Sequence, residues 1–432
     1  MRPIILIFDA LAARLDQTKA ISQALSISAI NQVVSSGANF ALGIYLVRVL
    51  TPADFGLYGI GFAISLFYSG VGNALFLTQM VVHVPDKTPE DRLPYAARML
   101  VSLILFSAIT ALFAGLLLVF GSALSQVIHQ YVGLTISIIA ASVTFIIKDF
   151  FVRYAYTARR ESWALLVNVA VAITLAVLLL LQLHFAIDLN PENALWIYAV
   201  SNMMGAVVGL GMIRLPILTV RMHQLGVDIR EAWVGGSWAL IGVAVTWSQT
   251  QAYMYVTAVF VGPVGVAYAN AARLLITPAL FLMPAVSQVV MPRLASLRAS
   301  NPQKMLKFSN LFSRCLIIFS VIYSVILLGI VDLITPALLS DKYQNIIPLV
   351  VAWCMVMIFQ FSRGGSTIVL QVMKEFRILT LVNSASVGIA LVIAVTFIHL
   401  VGVQGAILGT GVGELVFSVL LYRTVKKLNA KH

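Results

Sequence analysis

Along the 432 residues, apolar runs about 20 residues long, the length that carries a helix across a bilayer, alternate with short polar connections. The runs fall at 22–47, 55–82, 96–120, 130–152, 162–185, 193–213, 233–256, 264–290, 309–334, 345–371, 377–398 and 403–422. They predict an all-α polytopic membrane protein with twelve transmembrane helices. Glycine and proline inside several runs do not oppose this, because membrane helices tolerate both. The opening residues, 1–21, hold an apolar run too short to span, followed by charge and without a small-residue cleavage site. They read as a cytoplasmic N-terminal segment that lies at the membrane surface.

Charge gives the runs a direction. Basic residues precede the first helix; Lys87, Arg92 and Arg98 flank the second connection, Lys148, Arg153, Arg159 and Arg160 the fourth, and Arg214 and Arg230 the sixth. Arg298, Lys304, Lys307 and Arg314 mark the eighth, Lys374 and Arg377 the tenth, and Arg423, Lys426 and Lys427 the tail. The alternate connections hold only Arg48 and Lys342, beside acids such as Asp54, Asp188, Glu192 and Asp332. Lysine and arginine collect on cytoplasmic loops, so both termini are expected in the cytoplasm, and a missed or invented helix would break the alternation. A composition of 60% hydrophobic and 10% charged residues fits the same class. The net charge of +12 would suggest nucleic acid in a soluble domain. Here the loop bias accounts for it, and no nucleic-acid partner is expected.

Two stretches share one plan. "YLVRVLTPADFGLYGIGFAI", from Tyr45, ends the first helix, turns and enters the second; "YVTAVFVGPVGVAYANAARLL", from Tyr255, does the same between the seventh and eighth. Each has a tyrosine, a proline turn (Pro52, Pro263), a glycine (Gly56, Gly265) and a second tyrosine (Tyr58, Tyr268). The offset superposes six helices on six in the same direction. This implies two pseudo-symmetric six-helix bundles, an N-lobe at 22–222 and a C-lobe at 223–432 with the cytoplasmic tail, and a cavity between them that serves alternating access.

Two arginines stand inside helices. Arg273 lies 9 residues past Val264, about 14 Å deep at the helical rise, and Arg363 lies 11 residues before Lys374, about 16 Å from the edge. Facing lipid at such depth costs several kcal/mol, so both should face protein or a watery cavity. Neither has a carboxylate one turn away, although Glu414 in the twelfth helix can reach one of them across the bundle. A guanidinium in a cavity suits an anion, and phosphate above all, because its fork gives two parallel charge-assisted hydrogen bonds. Asn39, Asn73, Gln79, Gln249, Gln251 and Tyr253 are polar at membrane depth and either hydrogen-bond sugars in the cavity or tie helices together. No GxxxxGK[ST] loop occurs, so uphill transport needs an ion gradient or removal of product. Glu414 and Asp149 are the acids available to carry a proton or sodium. No metal-ligand spacing, cofactor motif or catalytic constellation stands out, and no enzyme activity is expected.

The first of the paired stretches, with Arg48, Leu50, Thr51, Pro52, Asp54, Phe55, Gly56 and Tyr58, resembles the helix-one to helix-two signature of bacterial O-antigen and exopolysaccharide flippases, members of the multidrug, oligosaccharidyl-lipid and polysaccharide exporter superfamily. "PALFLMPAVSQVVMPRLASLR" is similar to the end of helix eight in that family. The resemblance implies a bacterial inner-membrane protein that moves a polyprenyl-pyrophosphate-linked oligosaccharide from the cytoplasmic to the periplasmic leaflet, with a polysaccharide polymerase and a chain-length regulator as possible partners. Arg48 fills a family position at the outer end of helix one, where it binds substrate, contacts headgroups or fixes the turn. The alternatives are a cation-coupled multidrug exporter of the same fold, for which cavity acids are expected, and a flippase for the peptidoglycan precursor, which shares the pyrophosphate chemistry.

Overall fold

A computed structural model of the chain describes residues 2–217, 220, 222–300 and 302–429. All twelve apolar segments are helical: α1 (Arg2–Val49), α2 (Pro52–His83), α3 (Pro89–Leu124), α4 (Val132–Thr157), α5 (Glu161–His184), α6 (Pro191–Ile213), α7 (Met222–Phe260), α8 (Pro263–Leu280, continued by Leu282–Ser300), α9 (Pro302–Leu339), α10 (Ile347–Val372), α11 (Phe376–Val401) and α12 (Val403–Asn429). Among the described residues there is no strand, and nine helices, all but α1, α7 and α8, are by length and composition able to cross a membrane. Residues 2–21 are helical and continue without a break into the first apolar segment, within α1. No glycine or proline lies between Pro3 and Gly37 to end the helix.

Local chemistry sets the helix starts. Thr51 caps α2, its Oγ1 accepting from Asp54 N at 3.2 Å, and Asn190 caps α6 by accepting from Asn193 N at 2.7 Å; proline follows in each case at the first helical position. Gly262, at φ +88°, turns the chain into Pro263 of α8 in a conformation that costs other residues strain. The outer faces are apolar rather than polar: Ile109, Leu112, Phe113, Leu116 and Phe120 of α3 are all exposed. A surface of this kind belongs in lipid.

The packing repeats. Within the first six helices α4 and α5 each pack on α6, α2 on α4, α1 on α5 and α3 on α4. Adding six to each number gives α10 and α11 on α12, α8 on α10, α7 on α11 and α9 on α10, all of them observed. The contacts between the two sets obey the same rule: α2 meets α8, α2–α7 is matched by α1–α8, and α3–α7 by α1–α9. The duplication read from the proline turns therefore extends through the tertiary structure.

The two sets join at both ends. At the end remote from the termini, a methyl on Gly56 would sit 1.8 Å from Pro263 O, so α2 and α8 start in direct backbone contact. Beside them Arg48 Nη1 donates to Ala337 O at 2.5 Å, and Lys342 Nζ donates to Arg48 O at 2.8 Å and Leu50 O at 3.2 Å. At the end bearing the termini, Arg98 of α3 pairs with Asp228 of α7, and Gly236 of α7 lies against the π-helical turn Asn73–Leu77 of α2.

Candidate functional site: a cavity between the lobes

Between these two junctions α1, α2, α7 and α8 line an open cavity of about 370 Å³. Its two walls differ. Phe55, Tyr58 and Phe62 of α2 make one side, and Gln251 of α7 with Asn270 and Arg273 of α8 make the other. Phe62 and Arg273 are each the tenth residue after the proline that opens its helix, so they occupy equivalent places in the repeat. The cavity is thus aromatic on the N-terminal side and cationic on the C-terminal side.

Neutral groups hold Arg273 in position. Its Nη1 donates to Gln251 Oε1 and to Tyr253 Oη, both at 3.1 Å. Tyr253 in turn donates to Asn270 Oδ1 at 2.7 Å, so the phenol oxygen is fixed from both sides. The guanidinium carbon lies 5.6 Å from the Tyr253 ring centre and 5.3 Å from that of Trp353, at cation–π distance. Trp353 is locked by donating Nε1–H to Ala269 O at 2.9 Å and by an edge contact with Tyr253 at 4.8 Å. Among the described residues Arg273 has no carboxylate partner, and all its protein hydrogen bonds leave from Nη1. Among the described residues Nε and Nη2 donate to no protein acceptor.

The other buried arginine is arranged differently. Arg363 stands where α10 is interrupted between Ile347–Ser362 and Gly364–Val372, with Gly364 and Gly365 following it. Gly365 admits α9 so closely that a methyl would meet Ser309 O at 2.5 Å. Arg363 Nε donates to Glu414 Oε2 at 2.6 Å and Nη2 to Oε1 at 3.3 Å, while Gln360 donates to Oε1 at 3.2 Å. The Glu414 side chain has 0% exposure and the Phe417 ring covers the guanidinium at 4.9 Å. Of the two expected fates of Arg363, ligand contact or a pair with Glu414, the geometry is that of the pair. Glu414, expected as an ion carrier, has both oxygens engaged.

The remaining polar residues scatter. Gln251, Tyr253 and Arg273 converge, and Asn39 borders the cavity from α1. Gln249 does not: it is buried against α12, its amide nitrogen near Gly413. Asn73 accepts from Thr78 at 3.3 Å within the π-helical turn, and Gln79 is buried beyond it, both away from the cavity. Arg48 belongs to the junction remote from the termini. Asp149 accepts from Arg153 at 3.1 Å along α4. Lys148, counted from sequence with the basic loop residues, is instead buried inside the first helix set. Trp353 and Asn270 were not anticipated; a tryptophan in mid-membrane, away from the interfacial belt where the residue collects, was the available signal.

The fold is that of a twelve-helix, two-lobed membrane protein, and solved structures of transporters share it. Among solved structures, the chain resembles an inward-facing multidrug-resistance MATE transporter of the MOP superfamily, at 14% identity and a TM-score of 0.69 over 93% of this chain and 95% of the other. It resembles the lipid II flippase MurJ in an inward closed conformation at 13% identity and a TM-score of 0.69, over 95% and 87%, and the eukaryotic MATE transporter AtDTX14 at 16% and 0.66, over 94% and 95%. No protein-family profile matches the sequence, and no curated protein does.

Proposed function

We propose that this protein is a flippase for a lipid-linked anion, a polyprenyl-pyrophosphate carrying an oligosaccharide, which it moves from the cytoplasmic to the periplasmic leaflet of a bacterial inner membrane. The observation that carries this reading is Arg273: a guanidinium at membrane depth with neutral protein partners and donors remaining on Nε and Nη2. Two parallel donors match a phosphate edge. A cationic drug would meet repulsion at the same spot, which weighs against the multidrug alternative suggested by the MATE neighbours. The MurJ neighbour is named for a lipid substrate, and a pyrophosphate head would meet the same chemistry here.

In this reading the units are an N-lobe at 22–222 and a C-lobe at 223–432, and the termini lie in the cytoplasm. The Arg48–Lys342 junction is then the periplasmic seal, and the Arg98–Asp228 pair lies on the cytoplasmic side. Substrate enters while the periplasmic seal is shut. The pyrophosphate reaches Arg273, sugars lie against the polar groups of α7, α8 and Asn39, and the lobes re-close about the loaded cavity. The test is mass spectrometry of lipids retained by the gently purified protein. Enrichment of a polyprenyl-pyrophosphate oligosaccharide that disappears with Arg273→Ala supports the proposal. Equal lipid in both proteins, or amphipathic cations in place of the lipid, overturns it.

A further inference from the structure

The repeat exposes a second place where the lobes differ. Lys148 is the sixteenth residue after the start of α4, and Arg363 the sixteenth after the start of α10, in two helices of 26 residues each. The helices that face them correspond as well: Asn202 of α6 and Glu414 of α12 are each the eleventh residue after the start of their helix. Contacts agree with the count. Lys148 packs its stem against Gly205, three residues after Asn202, as Arg363 packs against Phe417, three after Glu414. Where the C-terminal half has arginine and a fully buried carboxylate, the N-terminal half has lysine and an amide.

The consequence is a lysine without a close partner. Lys148 has 5% exposure, its nearest carboxylate oxygen is Asp149 Oδ1 at 3.9 Å, and that carboxylate already accepts from Arg153. The Phe145 ring lies 4.5 Å from Nζ. Among the described residues no hydrogen-bond acceptor reaches Nζ. From α6 the groups around it are Tyr198, Ser201 and Asn202, from α5 Asn168 and Val171, and from α1 Ser35 and Asn39; they border a cavity of about 20 Å³, enough for one water molecule. Tyr198 Oη is buried without a partner. The titratable groups facing Lys148 are therefore Asp149 and Arg153 of its own helix and Tyr198 of α6. Asn39 borders this small cavity and the large one alike.

We propose that Lys148 is a proton-binding site of the N-terminal half, whose loading and unloading is coupled to the relative position of the lobes through Asn39 and α1. Arginine cannot fill this role, because its guanidinium keeps its proton, whereas a buried lysine amine can hold or shed one. The exchange is an acid–base step: the ammonium N–H bond breaks, the proton passes to a water in the small cavity, which relays one across the 3.9 Å gap to Asp149 Oδ1, and from there it leaves to water beside the half-exposed Arg153. The C-terminal equivalent stays fixed, since its charge is matched by Glu414. The inference rests on the two-lobe reading but not on the identity of the substrate.

The test is distance measurement between spin labels at Ala53 and Gln344, on opposite sides of the Arg48–Lys342 junction, in full-length protein in nanodiscs lacking the native cysteines. The wild type should shift its distance distribution between mildly acidic and mildly alkaline buffer. Lys148→Arg should hold the acidic distribution at every pH, and Lys148→Met the alkaline one. Asn202→Asp, which supplies the carboxylate found in the other half, should move the transition to higher pH, and it keeps the proposal testable if Lys148→Met fails to fold. A purely structural lysine would not give opposite locks. A wild-type distribution indifferent to pH, or a shift retained in Lys148→Met, overturns the proposal. If lipid capture by Arg273 fails while the pH shift persists, the substrate reading falls and this one stands.

Discussion

The two buried arginines of the C-terminal half start from the same chemistry and end in opposite states. Arg363 donates from Nε and Nη2 to Glu414, which is itself braced by Gln360. Arg273 donates from Nη1 alone, to an amide and a phenol. The first is a closed unit in which each charge answers the other. The second is oriented without being neutralised, because Gln251 and Tyr253 fix its plane but leave its charge. Sequence depth treats the two alike, since each lies roughly half-way into a hydrocarbon layer of about 30 Å. What separates them is the chemistry of the partner on another helix, a carboxylate for Arg363 and a neutral amide and phenol for Arg273.

The strongest way to break this comparison is to remove Arg363. Arg363→Ala leaves the fully buried Glu414 carboxylate without its cation, a change that costs on the order of 3–5 kcal/mol. Thermal unfolding in detergent should show a large drop in Tm, and the double variant Arg363→Met with Glu414→Leu should regain most of it. If Arg363→Ala is as stable as wild type, the pair is not the unit described. Next in size is Arg273→Ala, which should leave Tm almost unchanged while lowering retention of pyrophosphate lipid by about ten- to a hundredfold, the range for losing charge-assisted hydrogen bonds worth about 1.5–3 kcal/mol. Arg273→Lys should recover little, because an ammonium keeps the charge without the fork. Substantial lipid capture by the lysine variant would show that charge alone suffices.

Much of this architecture is legible in the residue pattern, and the reason is physical. Membrane helices must satisfy their own backbone and present apolar side chains to lipid, so length and hydropathy mark them directly. The proline turns at Pro52 and Pro263 carry the duplication, and most of the helix packing follows it, α7 on α12 being an exception. Side-chain destinations are less visible, because a helix in a bundle has lipid, protein and cavity on different faces. Gln249 and Gln251 are two residues apart, yet one is buried against α12 and the other reaches Arg273. Lys148 reads as a loop cation beside Arg153 until α4 is seen to bury it. Trp353 lies far along the chain from Arg273, and only the α8–α10 contact brings its ring to the guanidinium.

A subtler change sharpens the comparison by acting on orientation alone. Tyr253 has 0% exposure, accepts from Arg273 and donates to Asn270 Oδ1. In Tyr253→Phe the ring remains against Trp353 and continues to face the guanidinium, but both hydrogen bonds vanish. Arg273 keeps its charge and its bond to Gln251 while losing one of two constraints on its plane. A net hydrogen bond is worth about 0.5–1.5 kcal/mol, so lipid retention should fall roughly two- to tenfold, well short of the loss in Arg273→Ala. The corresponding change at the closed pair, Gln360→Leu, should leave lipid retention unaffected and lower only Tm. If Tyr253→Phe binds lipid as well as wild type, the phenol is a packing contact and Gln251 by itself aims the arginine; if it binds as poorly as Arg273→Ala, orientation outweighs charge in this cavity.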